Sequence, residues 1–181
     1  MNKDVKLIKR YQWGALEPKK YYYYHFPTVI TLHDTHRLLN RLNFRFQKRF
    51  HGKKTVREMQ LEDMRNGLID IGYHYIIDYD GYVYEGRPID VEGCHVKGKN
   101  KGNIGIVLVG NFDVENPTRE QIDALLKVIE YIHSVFNYMK IPECITYHKT
   151  TSNDGFYCCG KLIHTIIKYI KKKVVLNNDV P

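Results

Sequence analysis

The sequence predicts a mixed α/β fold: a central mixed β-sheet flanked by helices, in a single domain over residues 1–181. Three observations lead there. Two short β-branched segments, Thr28-Val-Ile-Thr-Leu-His33 and Cys144-Ile-Thr-Tyr-His148, each run as a strand into a histidine. Ile104 to Val109 is a continuous apolar run of strand length, the pattern of a strand central in a sheet. Other segments carry helical periodicity, and strands mixed with helices pack as a sheet with helices on its faces.

Taken in order, Tyr21 to Tyr24 precede the first strand and read as surface or packing residues. Thr55-x-x-Glu58 has the form of a capping box, and the helix it opens is expected to stop near Gly67. Gly72 to Asp78 and Tyr82 to Tyr84 are rich in aromatic and β-branched residues; Tyr79-Asp80-Gly81 joins them as a hairpin. Thr118-x-x-Gln121 opens a second helix, in which Ile122, Leu125, Leu126, Ile129, Ile132 and Phe136 recur on one buried face. Leu162 to Ile170 is a third helix, with Lys171 to Lys173 at its negative end. No repeat, low-complexity linker or shift in composition divides the chain.

With 43% hydrophobic residues the chain can bury a core, and no stretch approaches the roughly 18 apolar residues of a membrane span. Residues 1–11 alternate charged with single apolar residues and lack the apolar centre of a secretory signal. Either the chain is made in the cytosol or a signal has been removed. Lys and Arg exceed Asp and Glu by 28 − 20 = 8, which suits a polyanion: nucleic acid, anionic lipid, or a bacterial wall. No nucleic-acid-binding motif accompanies the charge, so that class is set aside.

Of nine histidines, His33 and His148 stand out because each closes a strand, where polar side chains converge at the rim of a sheet. Cys158 follows His148 at a distance a loop can fold back. Cys158 and Cys159 are adjacent and poorly placed to bridge each other, which leaves a thiol for other chemistry. Two imidazoles and a thiolate can hold zinc with one position open, the arrangement that makes amide hydrolysis feasible. No compact zinc motif is present, and hydrogen-bonded core histidines with an inert cysteine would account for the same residues.

Five ordered blocks add to this reading. They are Tyr11-Gln-Trp-Gly-Ala15, Asp70-Ile-Gly-Tyr-His-Tyr75, Asp80-Gly-Tyr-Val-Tyr-Glu-Gly-Arg87, Gly93-Cys-His-Val-Lys-Gly-Lys-Asn100, and Asn103-Ile-Gly-Ile-Val-Leu-Val-Gly-Asn-Phe112. Together they resemble the peptidoglycan recognition protein family, which shares its fold with the zinc amidases of phage-lysozyme type. The likeness runs from about residue 7 to about residue 172. It implies a zinc-dependent N-acetylmuramoyl-L-alanine amidase that cuts the lactyl amide between N-acetylmuramic acid and L-alanine. It places the zinc ligands on His33, His148 and Cys158, and an assisting tyrosine on Tyr73. The stem-peptide groove would involve Arg87, His95 and the Gly67-Leu68 pair, with Arg87 favouring meso-diaminopimelate through its extra carboxylate. The implied partner is a muropeptide, the implied state a monomer, and the site of action the bacterial wall.

The sequence departs from that pattern near the third ligand. The stretch from His148 to Cys158 is longer than usual in the family, and Cys159-Gly160 stands where Pro-Gly is usual. Cys159 is thus a rival ligand, although Gly160 keeping its place favours Cys158. Phe156 occupies the place of a family Lys or Thr, for which Lys149, Thr150 or Thr151 would have to substitute. Leu68 replaces a family Trp. These departures keep open an alternative of the same fold, a sensor that holds the stem without cutting it.

Overall fold

The computed structural model describes residues 5–35, 52–112, 114–141, 143–148 and 167–170. Its elements are β1 (Leu7–Ile8), α1 (Arg10–Trp13), β2 (Val29–Asp34), α2 (Lys53–Arg65), β3 (Tyr75–Ile77), β4 (Val83–Glu85), β5 (Asn103–Leu108), α3 (Arg119–Val135) and β6 (Ile145–Tyr147). The strands form one sheet in the order β1-β4-β3-β5-β2-β6. β3, β5, β2 and β6 run parallel; β4 returns antiparallel to β3 and carries β1 parallel to itself. The sheet is therefore mixed, as predicted.

Every residue of β5 is buried, and the strand lies between β3 and β2, so its apolar run marks the sheet's interior. Alternation then sorts the side chains onto two faces. Ile30, Leu32, Ile104, Ile106 and Leu108 pack with Leu125, Val128, Ile129 and Ile132 of α3, and with Ile167 and Ile170. On the opposite face, Ile76, Tyr84 and Val107 pack with Trp13 of α1 and Val56 and Met59 of α2. Thr31 and His33 alternate with Ile30 and Leu32, so they too turn to that second face. It is the less apolar of the two, and the site grows there.

One expectation in the chain's first half changes. α2 begins at Lys53 with Gly52 as its N-cap, so Thr55 is a buried residue inside the first turn rather than a cap. Capping requires extended backbone at the capping residue, whereas the Thr55 N–H already donates to the Gly52 carbonyl at 3.1 Å. The Tyr11-Gln-Trp-Gly-Ala block forms the short α1, closed by Gly14 at φ 74°, with Trp13 Nε1 donating to the Glu85 carbonyl at 2.9 Å. The third helix is described only at residues 167–170; the rest of Leu162 to Lys173 lies outside the described residues.

The Thr118 box forms as predicted. Thr118 Oγ1 accepts from Gln121 N at 3.1 Å, and the Gln121 side chain accepts from Thr118 N at 3.0 Å. The same hydroxyl donates to the Tyr79 carbonyl at 2.7 Å, which ties α3 to the β3–β4 turn. Thr118→Ala should therefore cost about 1–2 kcal/mol of stability in urea unfolding, whereas Thr118→Ser retains most of it.

Candidate functional site

The parallel register of β2 on β5 sets Thr31 opposite Gly105 and His33 opposite Val107. Thr31 Oγ1 donates to the buried Asn103 side-chain oxygen at 2.8 Å, fixing the two strands side chain to side chain. Gly105 is bare because the imidazole of His95 lies on it: a Cβ there would stand 2.6 Å from ring atoms of His95. A Cβ on Gly93 would meet the same ring at 2.5 Å. Two glycines thus make the seat for one imidazole.

His95 Nδ1 is 3.0 Å from His33 Nε2, and His95 Nε2 is 3.1 Å from the Asn103 carbonyl. Burial, and then the neighbouring imidazole of His33, push the His95 pKa well below its ordinary value, so the ring is neutral. Around His33 three rings gather. His148, just past β6, has its centroid 4.9 Å away, and His95 lies 5.0 Å away nearly perpendicular. Tyr73 meets His33 edge-on at 5.2 Å and remains half-buried, open to both the cluster and solvent. Residues far apart in sequence are thereby brought to one point.

Two further histidines extend the cluster, and neither was singled out from sequence. His74 accepts from Gly105 N at 2.9 Å through Nδ1 and faces the Val91 carbonyl at 2.9 Å through Nε2. Burial lowers its pKa to about 3. His25 stacks on it at 5.8 Å and is held by Gly102 N and the Ile89 carbonyl. The signal available for His74 was its place beside Tyr73 in the Asp70 to Tyr75 block. Of the four tyrosines, Tyr22 packs inward with its hydroxyl on Asp70, while Tyr21, Tyr23 and Tyr24 are exposed.

The loop bearing Tyr73 is tied down on both sides. Asp63 of α2 accepts from Gly72 N at 2.8 Å, and the Tyr73 carbonyl accepts from Arg87 N at 2.9 Å. Arg87 is 4% exposed, and its guanidinium donates to the carbonyls of Ile71 at 2.7 Å, Glu92 at 2.7 Å and Asp70 at 3.4 Å. It braces the walls of the site from within. Gly67 and Leu68 stand just beyond α2, where Leu68 N donates to the Asp63 carbonyl. They are joined to the Tyr73 loop through Asp63 rather than to the histidines directly.

Imidazole nitrogens of His33 and His148 are donors of the kind zinc takes. Among the described residues no group of three His, Cys, Asp or Glu side chains is arranged to hold a metal ion. The third sequence-predicted ligand, Cys158, lies outside those residues, as do its rival Cys159, Phe156, Lys149, Thr150 and Thr151. Of the described cysteines, Cys94 is exposed and Cys144 half-buried.

Comparison with known proteins bears on the family and the fold. Residues 23–160 match the family described as N-acetylmuramoyl-L-alanine amidase. The endolysin of Enterobacteria phage K11 is 40% identical over 86 residues, 45% of this chain and 57% of that protein. Peptidoglycan-recognition protein LB of Drosophila melanogaster is 30% identical over 129 residues, 70% of this chain and 53% of that protein. The chain thus spans about half the length of these relatives. Among solved structures, the amidase LysC of Clostridium intestinale superposes with a TM-score of 0.70 at 23% identity, covering 93% of this chain and 97% of that one. A tyrosine-to-phenylalanine variant of Drosophila PGRP-LB in complex with tracheal cytotoxin superposes at 0.70 with 26% identity, covering 86% and 89%.

Asp63 supplies a pH test of the tether on the Tyr73 loop. Burial raises its pKa from 3.8 to about 6, against the opposing Gly72 hydrogen bond. A carboxyl raised on folding contributes stability that is full below the unfolded pKa and is lost as pH rises through the folded one. Asp63→Asn keeps an acceptor for Gly72 without the charge. The variant should gain at most about 3 kcal/mol over the parent at pH 8 and little at pH 3.5, read from unfolding curves at both.

Proposed function

The chain belongs to the N-acetylmuramoyl-L-alanine amidase family, and on that premise we propose that it hydrolyses peptidoglycan in a zinc-dependent reaction. The bond cut is the lactyl amide joining N-acetylmuramic acid to the L-alanine of the stem. The observation that carries this reading is the meeting of His33, His148 and Tyr73, with ring centroids of His148 and Tyr73 at 4.9 and 5.2 Å from His33.

His33 and His148 would hold the zinc, with Cys158 as third ligand. The metal, when bound, supplies a Lewis acid that activates water near neutral pH and polarises the amide carbonyl. Tyr73 Oη orients the attacking water and relays its proton towards the leaving nitrogen. Attack breaks the C–N bond, leaving a carboxylate on the lactyl group and an amine on L-alanine. The buried imidazoles of His95, His74 and His25 form the floor on which His33 rests. Water-poor walls come from Val107 and Val109 on the same face.

The finer reading is a preference for meso-diaminopimelate stems. Of the five N–H groups of Arg87, three already serve the carbonyls of Ile71, Glu92 and Asp70. Those bonds support a bracing role, and the preference requires the remaining two to reach the stem carboxylate. Arg87→Ala should lower thermal stability in any case; a loss of rate confined to diaminopimelate stems would add the recognition role. The sensor reading keeps one supporting observation, Phe156 in the place of a family Lys or Thr.

Mass spectrometry of muropeptides incubated with zinc-loaded protein tests the proposal. The expected product is a free stem beginning with L-alanine, absent after chelation. Intact muropeptides that still bind would make the protein a sensor. His33→Ala, His148→Ala and Cys158→Ser should each abolish both zinc retention and product, while Cys159→Ser leaves both. Tyr73→Phe should slow turnover roughly 10²-fold or more with KM little changed.

A further inference from the structure

We propose that residues 17–26 and the loop 97–101 form a second binding surface, which takes an anionic wall polymer of sugars or polyols joined by phosphodiesters. Exposed aromatic rings mark it. Tyr21 is 97% exposed, Tyr23 77%, Tyr24 79% and Phe26 86%. Aromatic area gathered on the outside in this way marks a contact surface. An open groove of about 580 Å³ runs along it, lined chiefly by Glu17, Lys19, Lys20, Tyr21, Tyr22 and Tyr24. That volume lies within the range of ligand clefts.

The groove stands on tied backbone. Lys19 N donates to the Ile69 carbonyl at 2.8 Å, and Lys19 Nζ donates to the Met64 carbonyl. Tyr22 is the inward wall, with its hydroxyl on Asp70 and its ring 5.7 Å from the Arg87 guanidinium. The chain then pairs with residues 90–92: Glu92 N donates to the Tyr23 carbonyl at 2.7 Å and His25 N to the Asp90 carbonyl at 2.9 Å. Thr28 N donates to the Gly102 carbonyl at 2.7 Å, which brings Phe26 against the loop that ends at Gly102. That loop supplies the charge. Between Gly93 and Gly102 stand Lys97, Lys99 and Lys101 and no carboxylate, and all three lysines are exposed, as is Lys20. Asn100 Oδ1 holds the loop by accepting from His95 N and Val96 N, both at 2.9 Å. Glu17, Asp90 and Glu92 are the carboxylates of these segments, fewer than the five lysines.

Aromatic faces stack on the C–H faces of sugar and polyol units, and ammonium groups attract the phosphodiesters between them. A threaded polymer fills a concave groove, which the flat face of a bilayer does not. The surface also lies away from the site of cutting. Phe26 and Gly102 precede β2 and β5, whereas His33 and His148 stand at the far ends of β2 and β6. Four residues of strand put roughly 13 Å between Val29 and His33. A polymer held here leaves the histidine cluster open to a stem.

The choice of a wall polymer over other polyanions rests on the amidase reading. Calorimetric titration with a peptide-free, glycosylated poly(glycerol phosphate) tests it beside three rivals: a neutral N-acetylglucosamine oligomer, oligothymidylate, and vesicles of phosphatidylglycerol and phosphatidylcholine in equal parts. The polymer should bind best, and more weakly as salt rises. Tyr21→Ala combined with Tyr24→Ala should weaken it roughly tenfold or more. Lys97→Gln, Lys99→Gln and Lys101→Gln together should remove most of the salt dependence. Both variants change exposed side chains and should keep the parent's thermal unfolding and its action on soluble muropeptides. Unchanged affinity in the tyrosine variant, or tighter binding to any of the rivals, would overturn the proposal. Because the polymer carries no peptide, binding is read without cleavage. A protein that binds it through these residues yet cuts no muropeptide would refute the amidase reading and leave this surface standing.

Discussion

The parallel register of β2 on β5 is the constraint from which the site follows. It sets His33 beside Val107 on the face covered by α1 and α2, and Thr31 beside the bare backbone of Gly105. Side chains alternate along a strand, so a slip of one residue would send His33 into the apolar layer under α3 and bring Leu32 to the site. The apolar residues of both strands oppose that slip: Ile30, Leu32, Ile104, Ile106 and Leu108 all belong to the α3 face. The core on one face therefore guarantees the position of the chemistry on the other.

A polar layer inside a sheet is costly unless its groups are paired. Here the pairing comes from β5 and the chain between β4 and β5, which turn their backbone towards the histidines. The carbonyls of Ile89, Val91 and Asn103 meet ring nitrogens of His25, His74 and His95, and the N–H groups of Gly102 and Gly105 meet two others. Asp70 plays a similar part on the side of α2. It is fully buried between Arg10 at 2.9 Å, the Gln60 amide and the Tyr22 hydroxyl, and so joins the N-terminal segment to α2 and to the Tyr73 loop. Breaking such a buried pair leaves an uncompensated charge, which makes Asp70 a structural residue although it opens one of the family blocks.

Much of this was legible in the sequence, for identifiable reasons. β2, β5 and β6 announce themselves through β-branched and apolar runs, and α3 through a capping box whose two bonds both form. The same box pattern misleads at Thr55, because Gly52 with its positive φ takes the cap and the helix starts earlier. β1 is two residues long and carries no periodicity to detect. His33 and His148 are found by their places at strand ends. His95 and His74 are not, because their roles depend on which backbone approaches them, and that is settled by the fold of residues 86–105 rather than by local pattern. Arg87 carries a second role that sequence could not show: a charged residue in a motif reads as a ligand for an anion, and three of its donors also face carbonyls within the protein.

On the proposed reading, cutting and merely binding would part at one place. His25, His74 and His95 draw their fixed partners from backbone of β5 and the loops before it, and the ring of His33 is held through His95. None of these bonds involves the stretch between His148 and Cys158. Among the described residues, these partners of the floor all come from residues 25–105. A sensor and an amidase would share that floor, the Tyr73 loop and its Asp63 tether. What separates them is whether a thiolate reaches the imidazole pair and whether a donor replaces the Lys or Thr lost at Phe156. Both questions fall on one short segment of sequence, from His148 to Gly160.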